Sequence, residues 1–383
     1  MRKLFLVLLA TLSSPIYGQS LPESKAVVKH LTSAGFWGRG YTKDGMARAA
    51  DYIASEFKSY GIKPMAGTDF KQQFSYPVNT FPGKMELKVN GKQLVPGKDF
   101  IIEPSSRGVK GEGIQEEQTD SVTFVARSQR LMLIMQDKLT WGVSDKAEDY
   151  TAVLINKKAL SASPQTVDIN IQNDFLPDFK TSNICGIVRG ATYPDSVVMI
   201  TAHYDHLGGM GDKTYFPGAN DNASGISFLL SLAKYYAANP QPFSIGFICF
   251  AGEEAGLLGS NYYTENPLFP LSQIKFLINV DMVGTGDKGI TVVNATLHPR
   301  EFSLMNRIND EHHYLSKINS RGKAANSDHY PFSEKGVPAF FIYTQGGIDA
   351  YHDVFDRAET LPLTEFTDLF SLFTHFNRAL MNK

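Results

Sequence analysis

The sequence predicts an α/β chain: a three-layer α/β/α sandwich on a central mixed, mostly parallel sheet, carrying a β-rich insertion. Two observations predict it. From Asn183 onward, continuous apolar runs alternate with helix-like stretches: NICGIVRG, SVVMITAHYDH, a helix from Ala223 to about Ala238, FSIGFICFAG, a helix after Glu254, IKFLINVDMVG and VPAFFIYTQGG. Strands apolar on both faces and separated by helices belong to a sheet covered on both sides. From about Ser75 to Lys180 the texture changes to short alternating runs such as MELKVNGKQL, whose Asn90-Gly91 pair is a hairpin signal.

Taken in order, the chain opens with MRKLFLVLLATLSSPIYGQS, which is basic at Arg2 and Lys3, apolar from Leu4 to Leu12, and small-residue-rich up to Gly18. That order reads as a secretory signal cleaved near Gly18. Its apolar stretch falls well short of the roughly 20 residues needed to cross a bilayer, so a secreted or periplasmic protein without a membrane span is expected. Met46, Ala50, Ile53, Phe57 and Tyr60 then recur at spacings of three and four, one stripe of a core-facing helix that Gly61 closes. The expected organisation is a signal at 1–18, a main α/β domain from 19–75 and 181–383, and a β-rich insertion or subdomain at 76–180. The insertion contains no histidine, so it is expected to shape or cover a site. A last helix carries Phe366, Phe370, Phe373 and Leu380 on one face.

With 383 residues, 43% hydrophobic and 20% charged, the chain can bury a sizeable core. Its net charge of -2, without a long Lys/Arg block, excludes nucleic acid or an anionic membrane as the main partner. The only two cysteines, Cys185 and Cys249, cannot form a disulfide framework, although a single bridge between them stays open.

Polar residues cluster at the carboxyl ends of the predicted strands. His203 and Asp205 follow SVVMITA, Glu253 and Glu254 follow FSIGFICFAG, and Asp281 follows IKFLINV. Ligand sites of open α/β sheets lie at that edge. The loop GANDNASG adds Asp221 before a helix, and YHD adds Tyr351 to Asp353 beyond VPAFFIYTQGG. Imidazoles and carboxylates converging at one edge suit a divalent metal, zinc first and cobalt or manganese as alternatives. The donors exceed one ion's needs, which suggests two ions sharing a carboxylate.

The motifs HYDH, PGANDNASG, FAGEEAGLLGS, NVDMVG and YHDVFD, in this order, resemble the secreted dinuclear zinc aminopeptidases, relatives of glutamate carboxypeptidase, glutaminyl cyclase and the transferrin receptor ectodomain. The resemblance covers roughly residues 30–65 and 183–360. It implies two zinc ions and peptide substrates. It makes His203 and Asp281 terminal ligands of one ion, Glu254 and His352 of the other, and Asp221 the bridge. It further implies Glu253 as general base, Tyr351 as oxyanion donor, Asp205 as the carboxylate that orients His203, and a cis bond between Asp221 and Asn222.

Other features are read against that set. His206, past the strand end, is expected to hydrogen-bond in a structural role, and His329 is the rival to His352 as fifth ligand. His312 and His313 are expected at the solvated surface. The stretch LGGMGDKTYFPGAN lacks the ending of a phosphate-binding loop. A carboxypeptidase would need an arginine among Arg300, Arg321 and Arg357 to clamp a carboxylate. A glutaminyl cyclase would use one zinc, and a receptor-like binding module would have lost ligands.

Overall fold

A computed structural model of the chain describes residues 20–382; the expected signal and its boundary near Gly18 lie outside the described residues. The main body is a nine-stranded mixed sheet. Its core is four parallel strands in the spatial order Phe243–Phe250, Tyr193–His203, Ile274–Val280 and Ala339–Thr344. Asp174–Val188 joins antiparallel on one side, and Ile290–Val293, antiparallel to Ala339–Thr344, then Ile318–Ser320 extend the other.

Each strand sends alternate side chains to opposite faces, and the two faces are covered differently. Val198, Ile200 and Ala202 point into a large core formed with the helices Gly45–Ser59, Gly225–Ala238, Pro299–His312 and Phe366–Met381, whereas Val197 and Met199 point into a smaller one with Leu258–Glu265 and His329–Glu334. Helix Gly225–Ala238 is apolar nearly all round, with Ile226, Phe228, Leu229, Leu230 and Leu232 buried, as a helix packed between a sheet and other helices must be. Phe228 meets Phe366 and Phe373 of the last helix edge-on at 5.2 and 5.0 Å between ring centroids. The three layers are those the apolar runs predict.

The register also decides the cysteine question. Cys249 lies opposite Ile184 and Cys185 opposite Ile248. Neighbours in sequence face opposite ways on a strand, so the two sulfurs sit on opposite faces of the sheet, buried and free.

Residues 76–180 contain a five-stranded and a four-stranded sheet around a second core that includes Leu87, Phe100, Leu133, Val153 and Ile169. Asn90 and Gly91 take left-handed φ of 51° and 79° in the hairpin between Met85–Val89 and Lys92–Gln93. The limits at 76 and 180 fall inside Lys71–Thr80 and Asp174–Val188, which pair along one long antiparallel ribbon rooted in the main sheet. Leu207, Met210, Phe216 and Val354 of the main body complete this second core. Among the described residues no helix is long and apolar enough to cross a membrane.

Candidate active site

The carboxyl edge of the parallel strands gathers the polar residues singled out above. His203 ends its strand, Asp281 follows Val280 directly, and Glu253 and Glu254 lie just past Phe250. Asp221 comes from the turn before helix Gly225–Ala238, and the Asp221-Asn222 peptide bond is cis. Asp221 stands at the centre: its Oδ1 is 3.4 Å from His203 Nε2 and its Oδ2 is 3.0 Å from His352 Nε2. On the first side Asp281 Oδ1 is 3.3 Å from His203 Nε2, and on the second Glu254 Oε2 is 3.1 Å from His352 Nε2. The five side chains named as ligands therefore form one cluster in two halves, hinged on the two oxygens of Asp221.

The imidazoles are oriented from behind. His203 Nδ1 donates to the Asp205 carbonyl at 3.2 Å, and His352 Nδ1 donates to the Trp141 carbonyl at 2.9 Å. With Nδ1 donating, each Nε2 is left facing carboxylate oxygens, where it carries a second proton or turns its lone pair to a bound cation. Two acceptors facing each other need positive charge between them. The buried atoms without a hydrogen-bond partner include His203 Nε2 and Asp281 Oδ1. Burial by itself would depress His203 and His352, yet the surrounding carboxylates outweigh it and hold both imidazoles above their ordinary range, His352 at about 11. The donor atoms of His203, Glu253 and Asp281 lie within 4.8 Å of one another, as do those of His206, Asp221 and Glu254. Imidazole and carboxylate donors in this arrangement fit divalent cations of the zinc type.

The paired glutamates are set by Asp205 in a way that departs from expectation. Its carboxylate is 3.7 Å from His203 Nδ1, beyond hydrogen-bond range, and instead accepts the backbone amides of Glu253 at 3.2 Å and Glu254 at 3.3 Å. Asp205 thus orients His203 through its main chain and the Glu253-Glu254 turn through its side chain. Glu254 divides its oxygens: Oε1 accepts from His206 Nδ1 at 2.7 Å while Oε2 faces His352. Burial pushes the Glu253 carboxyl well above the usual range; His203 opposes the shift, and Asp328 and Asp281 add to it.

A buried polar chain supports Asp281, running from Thr201 Oγ1 to Asn279 Oδ1 at 2.8 Å, Asn279 Nδ2 to Ser327 Oγ at 2.8 Å, and Ser327 Oγ to Asp281 Oδ2 at 3.3 Å. Tyr351 stacks on His352 with centroids 4.0 Å apart and borders the cavity. Burial and the carboxylates Asp221 and Glu254 push its hydroxyl upward, so it remains a proton donor at neutral pH. The cavity holds about 430 Å³; besides the acidic residues, Leu257, Met282, Phe341 and Tyr343 line it.

Sequence reasoning missed three contributors. Asp356 lies inside the quoted YHDVFD and accepts the backbone amides of Asn220 at 2.8 Å and Asp221 at 3.0 Å. The Trp141 carbonyl comes from the β-rich insertion, and a main-chain contact leaves no side-chain signature. Arg39 has a positive charge buried beside the cluster, with no motif to announce it.

His329 is not in the cluster. It is fully buried, its ring 5.4 Å from that of Phe341, and burial lowers its pKa to about 4. A depressed imidazole pKa means that the unfolded chain takes up a proton first as pH falls, so stability is full above about pH 6.5 and is lost toward pH 4. Between pH 7.5 and 5 this group costs about 2 kcal/mol. Urea unfolding should therefore show wild type losing about that much more than His329→Gln over this interval.

A sequence model of peptidase family M28 matches residues 183–376, half of the chain. The chain belongs to peptidase family M28. Among curated proteins, aminopeptidase YwaD of Bacillus subtilis is 31% identical over 214 residues, covering 54% of this chain and 45% of that protein. A probable zinc metalloprotease of Leptosphaeria maculans is 29% identical over 205 residues, covering 51% and 46%. The matched region thus spans under half the length of these relatives. Among solved structures, the zinc aminopeptidase BSAP of Bacillus subtilis superposes with a TM-score of 0.69 at 20% identity, over 94% of both chains. A peptidase M28 precursor of Shewanella amazonensis gives 0.66 at 15% identity, over 95% and 98%. These likenesses show that the fold is shared over 94% and 95% of the chain.

Proposed function

We propose that this M28 chain is a co-catalytic dizinc aminopeptidase that removes amino-terminal residues from peptides. One observation carries the choice of end: among the described residues no arginine or lysine lines the cavity, whose carboxylates Asp221, Glu253, Glu254 and Asp281 are taken up by the ions and the proton transfer. Without a cation to clamp a terminal carboxylate, the cavity lacks what a carboxypeptidase needs, and the free-amine end of a peptide is the end it takes. Arg300 and Arg357 line other surface grooves, and Arg321 stands behind the cavity wall, donating to the Tyr343 hydroxyl at 3.3 Å without lining the cavity itself. The aminopeptidase names of several relatives support the same reading. A complete five-residue donor set favours hydrolysis over the one-zinc cyclase and over a metal-free binding module.

His203, Asp281, Asp221, Glu254 and His352 would hold the ions. Bound there, they supply polarisation of the scissile carbonyl and a lowered pKa for water. Glu253 takes the proton of the attacking water on its carboxylate and passes it to the departing amine nitrogen. The Tyr351 hydroxyl donates to the carbonyl oxygen as it gains charge. Leu257, Met282 and Phe341 receive an apolar side chain of the first residue. The expected signal at the amino end puts this activity outside the cytoplasm.

The test is a pair of substrates, a dipeptide with a free amine and its N-acetylated form, assayed with and without chelator. Chelator-sensitive cleavage of the free form alone is expected; cleavage of the blocked form would overturn the assignment of end. Tyr351→Phe should lower kcat roughly 10²-fold with KM nearly unchanged. Steady-state kinetics on an aminoacyl-nitroanilide measure both.

A further inference from the structure

Arg39 has no part in the chemistry above, yet it is fully buried within reach of the cluster. A guanidinium carries five N–H groups, and here they meet five main-chain carbonyls. Nε donates to Tyr204 at 2.8 Å, Nη1 to Pro217 at 2.7 Å and Leu31 at 3.3 Å, and Nη2 to Gly218 at 2.8 Å and Asp221 at 3.1 Å. Burial pulls its pKa down to about 10 against the pull of Asp221 and Asp356, so it stays charged at neutral pH. From the other side, the Asp356 carboxylate accepts the amides of Asn220 and Asp221. The carbonyls and the amides of one short turn are thus held by a buried cation and a buried carboxylate. That turn presents Asp221.

The segment bearing Arg39 is shaped for this contact. Trp37, Gly38 and Arg39 have left-handed φ of 45°, 62° and 47°, a region non-glycine residues occupy only where surroundings enforce it. A side chain at Gly40 would collide with the backbone of Gly208, so the segment can lie directly on the loop that follows His203. There the Gly38 carbonyl accepts from Gly208 N at 3.1 Å and the Arg39 carbonyl from His206 N at 3.3 Å.

We propose that Arg39 and Asp356 are positioning residues that hold the 217–221 turn so that both oxygens of Asp221 address the two halves of the metal cluster. The proposal rests on Asp221 being the shared ligand, and the test separates the two claims. Full-length wild type, Arg39→Met, Arg39→Lys, Asp356→Asn and Asp221→Asn are stripped of metal, checked for folding by circular dichroism and thermal unfolding, and titrated with Co²⁺. Calorimetry reads affinity and stoichiometry, and visible absorption reads coordination geometry. Arg39→Met and Asp356→Asn should each bind Co²⁺ roughly 10- to 100-fold more weakly, as loss of supporting hydrogen bonds behind ligands typically does, with an altered spectrum. Arg39→Lys, with three donors in place of five, should recover part of the affinity. Should Arg39→Met fail to fold, Asp356→Asn and Arg39→Lys carry the same reading. Variants that merely unfold at lower temperature while binding both ions with wild-type affinity and spectrum would overturn the proposal. Unchanged binding in Asp221→Asn would overturn the ligand assignment beneath it.

Discussion

Replacing Glu253 by glutamine is expected to lower kcat by roughly 10²- to 10⁴-fold, the range a positioned general base contributes. Glutamine keeps the size of the side chain and cannot accept the proton. The backbone at this point is fixed independently, because the Glu253 amide donates to Asp205. Metal content should therefore stay at the wild-type level. Assays of turnover on an aminoacyl-nitroanilide, paired with elemental analysis of the purified variant, measure both quantities. Loss of metal in step with activity would make Glu253 a ligand and remove it from proton transfer.

Asp221→Asn should have an effect as large by a different route. Asp221 is the one side chain facing both imidazoles, Oδ1 toward His203 and Oδ2 toward His352. An amide offers one acceptor and one donor in place of two acceptors, so one half of the cluster loses its anion and gains an N–H pointing where a cation belongs. At least one ion should be lost per chain. The chemistry of bound metal amounts to several kcal/mol of the barrier, so kcat/KM should fall at least about 10³-fold. Metal analysis separates this outcome from that of Glu253→Gln, which keeps its ions.

Much of this site was legible because the fold sets it at strand ends. Continuous apolar runs mark strands buried on both faces, and the first polar residues after them, His203, Glu253 and Asp281, fall where the sheet opens. Asp221 and His352 were legible through their motifs. The far edge of the sheet was not, since Ile290–Val293 is only four residues long and Ile318–Ser320 carries two polar residues. Neither run has enough apolar pattern to stand out from loop. The supporting contacts were hidden for another reason. Trp141 orients His352 through its carbonyl and Arg39 grips carbonyls up to 182 positions away in the chain. Main-chain acceptors exist at every residue, so only the folded arrangement shows which ones are used. Asp205 illustrates the limit within a motif: its proximity to His203 was readable, but its carboxylate reaches the Glu253-Glu254 turn from a different strand.

The most direct measurement is a titration of the metal-free protein with zinc, following hydrolysis of leucyl-p-nitroanilide and zinc bound per chain together. Five side chains converging on two positions predict no turnover without metal, recovery as zinc is added, and full activity at two ions per chain. Undiminished hydrolysis by protein verified to contain no metal would contradict the account.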